Sequence, residues 1–214
     1  EPETVWSYEF GTHADLFDNR VRLNATAFYS MTDDIQILYG LPLLRRLAAV
    51  IREVRPAIIL THPPQDYMED HTETCRIAVT ATFSRGLPNF TTSPRRPAWS
   101  GETAVYHAMP HGLCDPLGRK VEAGAYVDTT SVQETKLAAL ACHESQHGWL
   151  QSSQGMNSYL REMERMSLEM GRRSRRFRHA EGWRRHAHMG LGPAGADPLR
   201  EALGRRHRVN AAYA

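Results

Sequence analysis

The chain has 214 residues, of which 41% are hydrophobic and 23% charged, and its formal net charge is +2. That composition excludes collagen-like, coiled-coil and wholly disordered chains, and the length suits one domain or slightly more. No apolar run approaches the roughly 20 residues of a membrane-spanning helix, and Glu1-Pro2-Glu3 lacks the basic-then-apolar pattern of a signal peptide, so neither is expected.

The small net charge hides a division. Residues 1–37 carry seven acids against Arg20 and Arg22, while the basic excess lies in residues 38–214. Cys75, Cys114 and Cys142 are widely spaced and odd in number. They suggest no disulfide framework and no CxxC metal clip, and read as reduced core thiols of a cytoplasmic protein.

Val5 to Phe10 and Val21 to Tyr29 alternate apolar and polar residues around a turn-like cluster, Asp15 to Arg20. Two alternating runs around a polar turn predict a β-hairpin. The wording "TVWSYEFGTHADLFDNRVRLNATAFYSMTDDIQI", over residues 4–37, resembles the C-terminal barrel strands of TonB-dependent outer-membrane receptors. Residues 1–37 are therefore expected to be a separate segment appended to a domain that begins at residue 38.

From residue 38 the pattern becomes α/β. Leu43, Leu44, Leu47, Val50, Ile51 and Val54 recur at helical spacing, with Arg45, Arg46, Arg52 and Glu53 between them. Arg55-Pro56 ends that helix. Ala57-Ile58-Ile59-Leu60 has the continuous apolar character of a buried parallel strand. A polar loop, Thr61 to Asp70, leads into a helix from about His71 to Ser84. Ligands of doubly wound folds sit at the carboxyl ends of strands, which makes this loop the expected place for a site. Residues 88–100 read as a surface loop. Ala104–Ala108 and Ala125–Asp128 read as strands, with Thr130 or Ser131 capping a helix that reaches Leu150. A helix over 156–170 is expected to end at Gly171. Residues from Pro198 read as a weak helix, with 205–214 as a tail. The arginine-rich stretch Arg172–Arg185 reads as a solvated helical face or as an anion-gripping patch. Along the chain as a whole the basic residues lack the aromatic interleaving expected for single-stranded nucleic acid, so no nucleic-acid partner is expected.

Two patterns carry chemistry. In Thr61-His62-Pro63-Pro64-Gln65-Asp66-Tyr67-Met68-Glu69-Asp70-His71, a histidine opens a helix behind carboxylates. That is a plausible metal ligand with an orienting partner, or a helix start with Asp70 serving the dipole. His143-Glu144-Ser145-Gln146-His147 is an HExxH pattern, the zinc-binding signature of zincin peptidases, with Glu164 or Glu169 as a third ligand. Its two x positions are polar here. His143 equally fits a half-exposed helix near a pocket.

Residues 51–90, "IREVRPAIILTHPPQDYMEDHTETCRIAVTATFSRGLPNF", resemble the PIG-L/LmbE-like zinc-dependent N-acetylglucosaminyl de-N-acetylases. The blocks "VYHAMPHGLCDPLGR", "YVDTTSVQETKLAALACHESQ", "AEGWRRHAHMG" and "DPLREALG" follow in the same order, and the resemblance covers about residues 38–204. It implies a Rossmann-like parallel sheet with flanking helices. It further implies Zn2+ as cofactor and a small N-acetylated sugar or glycoconjugate as substrate. By position, His71 matches the last zinc ligand and Asp70 its neighbour in the pocket. The family histidine three before that ligand is Met68 here, which cannot donate the same hydrogen bond. His111 or His188 is left to supply it. Asp66, Tyr67, His143 and Arg184 are expected to line the substrate pocket, with His186 and Trp183 beside them.

The HPDD motif that gives the family its other ligands and its general base is absent, and the first βα unit is expected to be missing. Three functions therefore stay open: a de-N-acetylase, a catalytically dead remnant with a structural or binding role, and a zincin peptidase. An open sheet edge also predicts self-association into a homo-oligomer.

Overall fold

The computed structural model describes residues 5–16, 21–32, 40–143 and 159–213. The chain divides into two compact units, residues 1–38 and 39–214. In the first, β1 (Val5–Leu16) and β2 (Val21–Thr32) pair antiparallel, with Val5 opposite Thr32 and Leu16 opposite Val21. The strands extend several residues beyond the ends expected from alternation.

The second unit begins with α1 (Leu41–Val54), which has Pro42 in its first turn and a left-handed Arg55 (φ 51°) at its end. Next come β3 (Ile58–Thr61) and α2 (Glu69–Ser84), whose first turn holds Glu69 and Asp70, where acids favour the helix dipole. β4 (Ala104–Ala108) and β5 (Ala125–Asp128) follow, then α3 (Gln133–Ala141) and α4 (Tyr159–Ser174). The chain closes with β6 (Ala180–Arg185), α5 (Pro198–Leu203) and β7 (His207–Val209).

The five strands form one sheet in the order β3-β4-β6-β5-β7, so the α/β class with flanking helices holds. The sheet is mixed. β3 and β4 are parallel, as the α2 crossover between them requires. β6 enters antiparallel between β4 and β5, and β7 adds antiparallel to β5. The segment expected to be a mere tail thus supplies an edge strand. The stretch Ala180–Arg185 shows no strand pattern in the sequence, because Gly182 and its charged residues break the alternation.

One sheet face meets the helices. Ile59 packs against Leu44, Ala48 and Ile51 of α1 and Ala81 of α2, while Met170 of α4 joins Tyr126 and Ala180. Leu199 and Leu203 of α5 cover the other face, against Ile58, Tyr106 and Trp183. Tyr106 donates from its hydroxyl to Asp197 Oδ1 (2.6 Å), and Asp197 in turn caps α5 through Arg200 N–H.

Three sequence expectations need correction. Arg52, which the helical spacing puts among the polar residues of α1, is 4% exposed. Its guanidinium donates to the carbonyls of Ser84, Arg85, Leu87 and Arg96. Arg85 is buried likewise and donates to the carbonyls of Thr82, Gly101, Gly190 and Leu191. Two cations thereby hold the 84–101 loop and the 190s turn, with carbonyls satisfying donors that have left water. Gly171 does not end a helix; it lies within α4, where a Cβ would run into the Arg178 carbonyl of the chain that turns back along it. Of the cysteines, only Cys75 is buried; Cys114 is intermediate and Cys142 exposed.

Candidate functional site at the carboxyl ends of the parallel strands

β3 ends at Thr61, and residues 62–68 turn the chain into α2. Asp66 sets this turn. Its Oδ1 accepts from Met68 N–H (3.1 Å), just before the first turn of the helix, and lies 3.1 Å from His71 Nδ1. With its side chain only 2% exposed, that carboxylate fixes the His71 ring and leaves Nε2 as the nitrogen available to a ligand. A carboxylate behind a histidine is the arrangement that orients imidazole ligands. The His62 ring stands 4.6 Å from that of His71. Burial, with the neighbouring His71 second, pushes the His62 imidazole below its ordinary value. Tyr67 meets His71 edge-on at 6.2 Å and His111 at 5.6 Å between ring centres.

A second layer lies behind these rings, in the sheet itself. Thr61, His107 and Arg184 are register partners across β3, β4 and β6. The His62 carbonyl, 2.9 Å from His107 Nδ1, can only accept, so that nitrogen holds the proton. His107 Nε2 must then accept from His186 Nδ1, 2.9 Å away. Burial lowers both imidazoles, which suits two neutral rings in this fixed tautomer. Cys75 Sγ lies 3.5 Å from His107 Nδ1, and burial raises that thiol to about 11. It is therefore a thiol at neutral pH and not a nucleophile.

Several polar atoms here are buried with no hydrogen-bond partner among the described residues: Thr61 Oγ1, Asp70 Oδ1, and Nε and Nη2 of Arg184. Buried polar groups are normally satisfied, and each exception calls for an explanation, a bound ion or ligand being one; others lie away from this region, at Thr103, Gln133 and His207 among them. Asp70, whose charge acts on His62, presents an acceptor. Arg184, whose guanidinium is lowered chiefly by desolvation, presents donors.

The remaining sequence candidates separate. His111, at the start of a single 3-10 turn (His111–Leu113), joins the group through Tyr67. His188 is exposed, in the turn after β6, where its carbonyl accepts from Leu191 and Gly192. His143 is exposed beyond the end of α3. Glu144 and His147 of the HExxH pattern lie outside the described residues, as does the far end of the helix expected to reach Leu150. Sequence patterns do not single out His107, His62 or Cys75 as site residues. The available signal is His107 at the carboxyl end of an apolar strand, the position where ligands gather.

Zinc, which the family resemblance implies, needs about three protein ligands in a catalytic site. Among the described residues no group of three or more His, Cys, Asp or Glu side chains could hold a metal ion. His71 with its Asp66 partner does not meet that need.

No protein-family model matches the chain, and no curated protein matches it. Solved structures do match. One is the N,N'-diacetylchitobiose deacetylase of Pyrococcus horikoshii, in complex with an inhibitor, at 20% identity and a TM-score of 0.54. That match covers 78% of this chain and 59% of the other. A second is GalB, the 4-carboxy-2-hydroxymuconate hydratase of Pseudomonas putida, at 24% identity and a TM-score of 0.50. It covers 72% of this chain and 60% of the other. The likeness is one of fold. The chain spans about 60% of the length of these two structures. They share one architecture but carry the names of different reactions, so the fold alone does not choose between them. No helix among the described residues is long and apolar enough to cross a membrane.

Proposed function

We propose that residues 38–204 are a PIG-L/LmbE-like domain whose site binds an N-acetylated amino sugar or a related amide, and that the described residues bind this group without hydrolysing it. The observation that carries the reading is the pair of unpartnered polar groups at Asp70, the neighbour of an oriented His71 in the chain, and at Arg184, the register partner of His107. Asp70 Oδ1 suits an amide N–H or a sugar hydroxyl. Arg184 offers donors to an acyl oxygen, and His71 Nε2, on the ring side away from Asp66, offers a third polar contact. Tyr67 offers an aromatic face to a sugar ring. The family resemblance of blocks 51–90, 105–119, 126–146, 180–190 and 197–204 supports the substrate class, and the fold likeness to a diacetylchitobiose deacetylase is consistent with it.

The donor count favours binding without hydrolysis. The HPDD aspartates and histidine are absent, and the described residues offer no three-ligand set. Zinc per chain, measured by elemental analysis on protein purified without added metal, is expected to be well below one and unchanged in His71→Ala. Acetate release from N-acetylglucosamine is expected to stay at background with zinc supplied. About one zinc per chain, lost in His71→Ala together with measurable acetate release, would overturn the non-hydrolysing part and restore the deacetylase in full. Zinc lost instead in His143→Ala would point to the HExxH pattern.

A further inference from the structure

Next to the histidine site lies a cavity of about 430 Å3, within the roughly 300–1,000 Å3 of small-molecule sites. Met163, Met166 and Met170 of α4 form one wall; Met109 and Leu113, from the segment after β4, form another. Tyr67 and His111 line it as well, and these rings also touch the site, Tyr67 at His71 and at His111. The cavity and the His71 region therefore share a wall.

We infer that the ligand of this site carries a bulky apolar aglycone, and that this group occupies the methionine-lined cavity. The inference rests on the sugar-binding reading of the histidine site. Thioether and leucine walls offer a sugar almost no hydrogen bonds, so a bare monosaccharide would leave this space poorly used. Methionine is unbranched and polarisable, and adapts to apolar ligands of irregular outline. The charged residues on the lining do not call for an ionic ligand, because Lys136 and Glu181 pair with each other at 2.7 Å. Lys136 also reaches Ser167 Oγ at 3.3 Å. Gly182 opens the floor. A Cβ there would come within 3 Å of Met109, Met170 and Ala123, so the absent side chain lets the thioethers settle against the strand.

The test compares three probes by titration calorimetry, each below its micelle concentration. They are the methyl and octyl glycosides of N-acetylglucosamine, and octyl glucoside, which has the chain but no acetamide. The octyl N-acetylglucosaminide is expected to bind the wild-type chain at least about tenfold more tightly than the methyl one, as burial of a few methylenes gives. Met166→Trp, which fills the cavity, is expected to remove that advantage while leaving the methyl glycoside's affinity unchanged. Met163→Ser is the milder variant should the tryptophan disturb folding, and is expected to reduce the advantage. His71→Ala is expected to weaken both acetamido glycosides and keep the ratio between them. Equal binding of the methyl and octyl acetamido glycosides overturns the inference even if both bind. Equal binding of octyl glucoside and the octyl acetamido glycoside, lost in Met166→Trp, keeps the cavity and removes the acetamide reading. Absence of binding by all three overturns both.

Discussion

Asp66 shows how one side chain serves both the backbone and the site. Its carboxylate holds Met68 N–H at the entrance to α2 and the Nδ1 side of His71. Asp66→Ala removes both. It is expected to cost about 1–3 kcal/mol, the usual loss when hydrogen bonds to a buried charged group are removed, and to release the His71 ring. Urea unfolding measures the first effect, and the histidine ring signals in an NMR spectrum measure the second. A variant as stable as the parent, with an unmoved His71 signal, would mean that Asp66 orients nothing. Arg52 makes the same point away from the site. Arg52→Leu leaves the carbonyls of Ser84, Arg85, Leu87 and Arg96 without their donor. A loss of about 3 kcal/mol is expected, since hydrogen bonds to a charged group are worth about 1.5–3 kcal/mol each and are not additive. The sequence hides Arg52 because its place at the edge of the apolar stripe looks like that of any solvated arginine. Its partners are backbone carbonyls, which leave no mark in composition.

At the scale of elements, Gly171 separates two physical accounts. Helix propensity alone makes Gly171→Ala stabilising by about 1 kcal/mol. Close approach of the Arg178 backbone makes it destabilising, by about 1–3 kcal/mol for an overpacked contact. The structure predicts destabilisation; a raised melting temperature would show that α4 and the chain after it do not approach so closely. The glycine is legible as a break in periodicity, but a glycine ends helices more often than it admits a neighbour, and only the packing decides. β3 and α1 carry a different consequence. β3 lies at one end of the sheet order, with Leu60 53% exposed, and Leu43, Val50 and Val54 form an exposed stripe on α1. An apolar edge and an apolar helix side favour self-association. Sedimentation velocity is expected to show concentration-dependent association that Val50→Glu with Leu60→Lys reduces. A monodisperse monomer at all concentrations would mean that these surfaces are covered. The helices α1 and α2 and the strands β3, β4 and β5 are readable from periodicity and short apolar runs. β6 and β7 are not, because their stability comes from neighbours on both sides or from one edge rather than from their own alternation.

For the molecule as a whole, the buried and half-buried histidines set the response to acid. His107, His186 and His207 are all pushed below the ordinary value of 6.5 by burial. A base whose folded value is lowered binds its proton more readily when unfolded. Stability is then fully present above about pH 6.5 and falls as the pH drops below it. Melting curves between pH 8 and pH 5 should show a decline that begins near 6.5, well before any carboxylate titrates. A melting temperature that is flat or rises toward pH 5 would contradict neutral, buried imidazoles. The site is half legible in the same sense. Asp66, Tyr67 and His71 lie within one short stretch of chain, so the sequence alone brings them together. The neutral His107–His186 pair, and the Cys75 thiol raised to about 11 behind it, arise from elements that are adjacent in space but far apart in sequence.

The proposed property of the site is recognition of an acetamide. Its most direct measurement is an NMR titration of the wild-type chain and of His71→Ala with the methyl glycosides of N-acetylglucosamine and of glucose. Saturable shifts of the histidine ring signals are predicted with the acetamido sugar, weak or absent shifts with plain glucose, and loss of the response in His71→Ala. Equal responses to both sugars, or none to either, would contradict it.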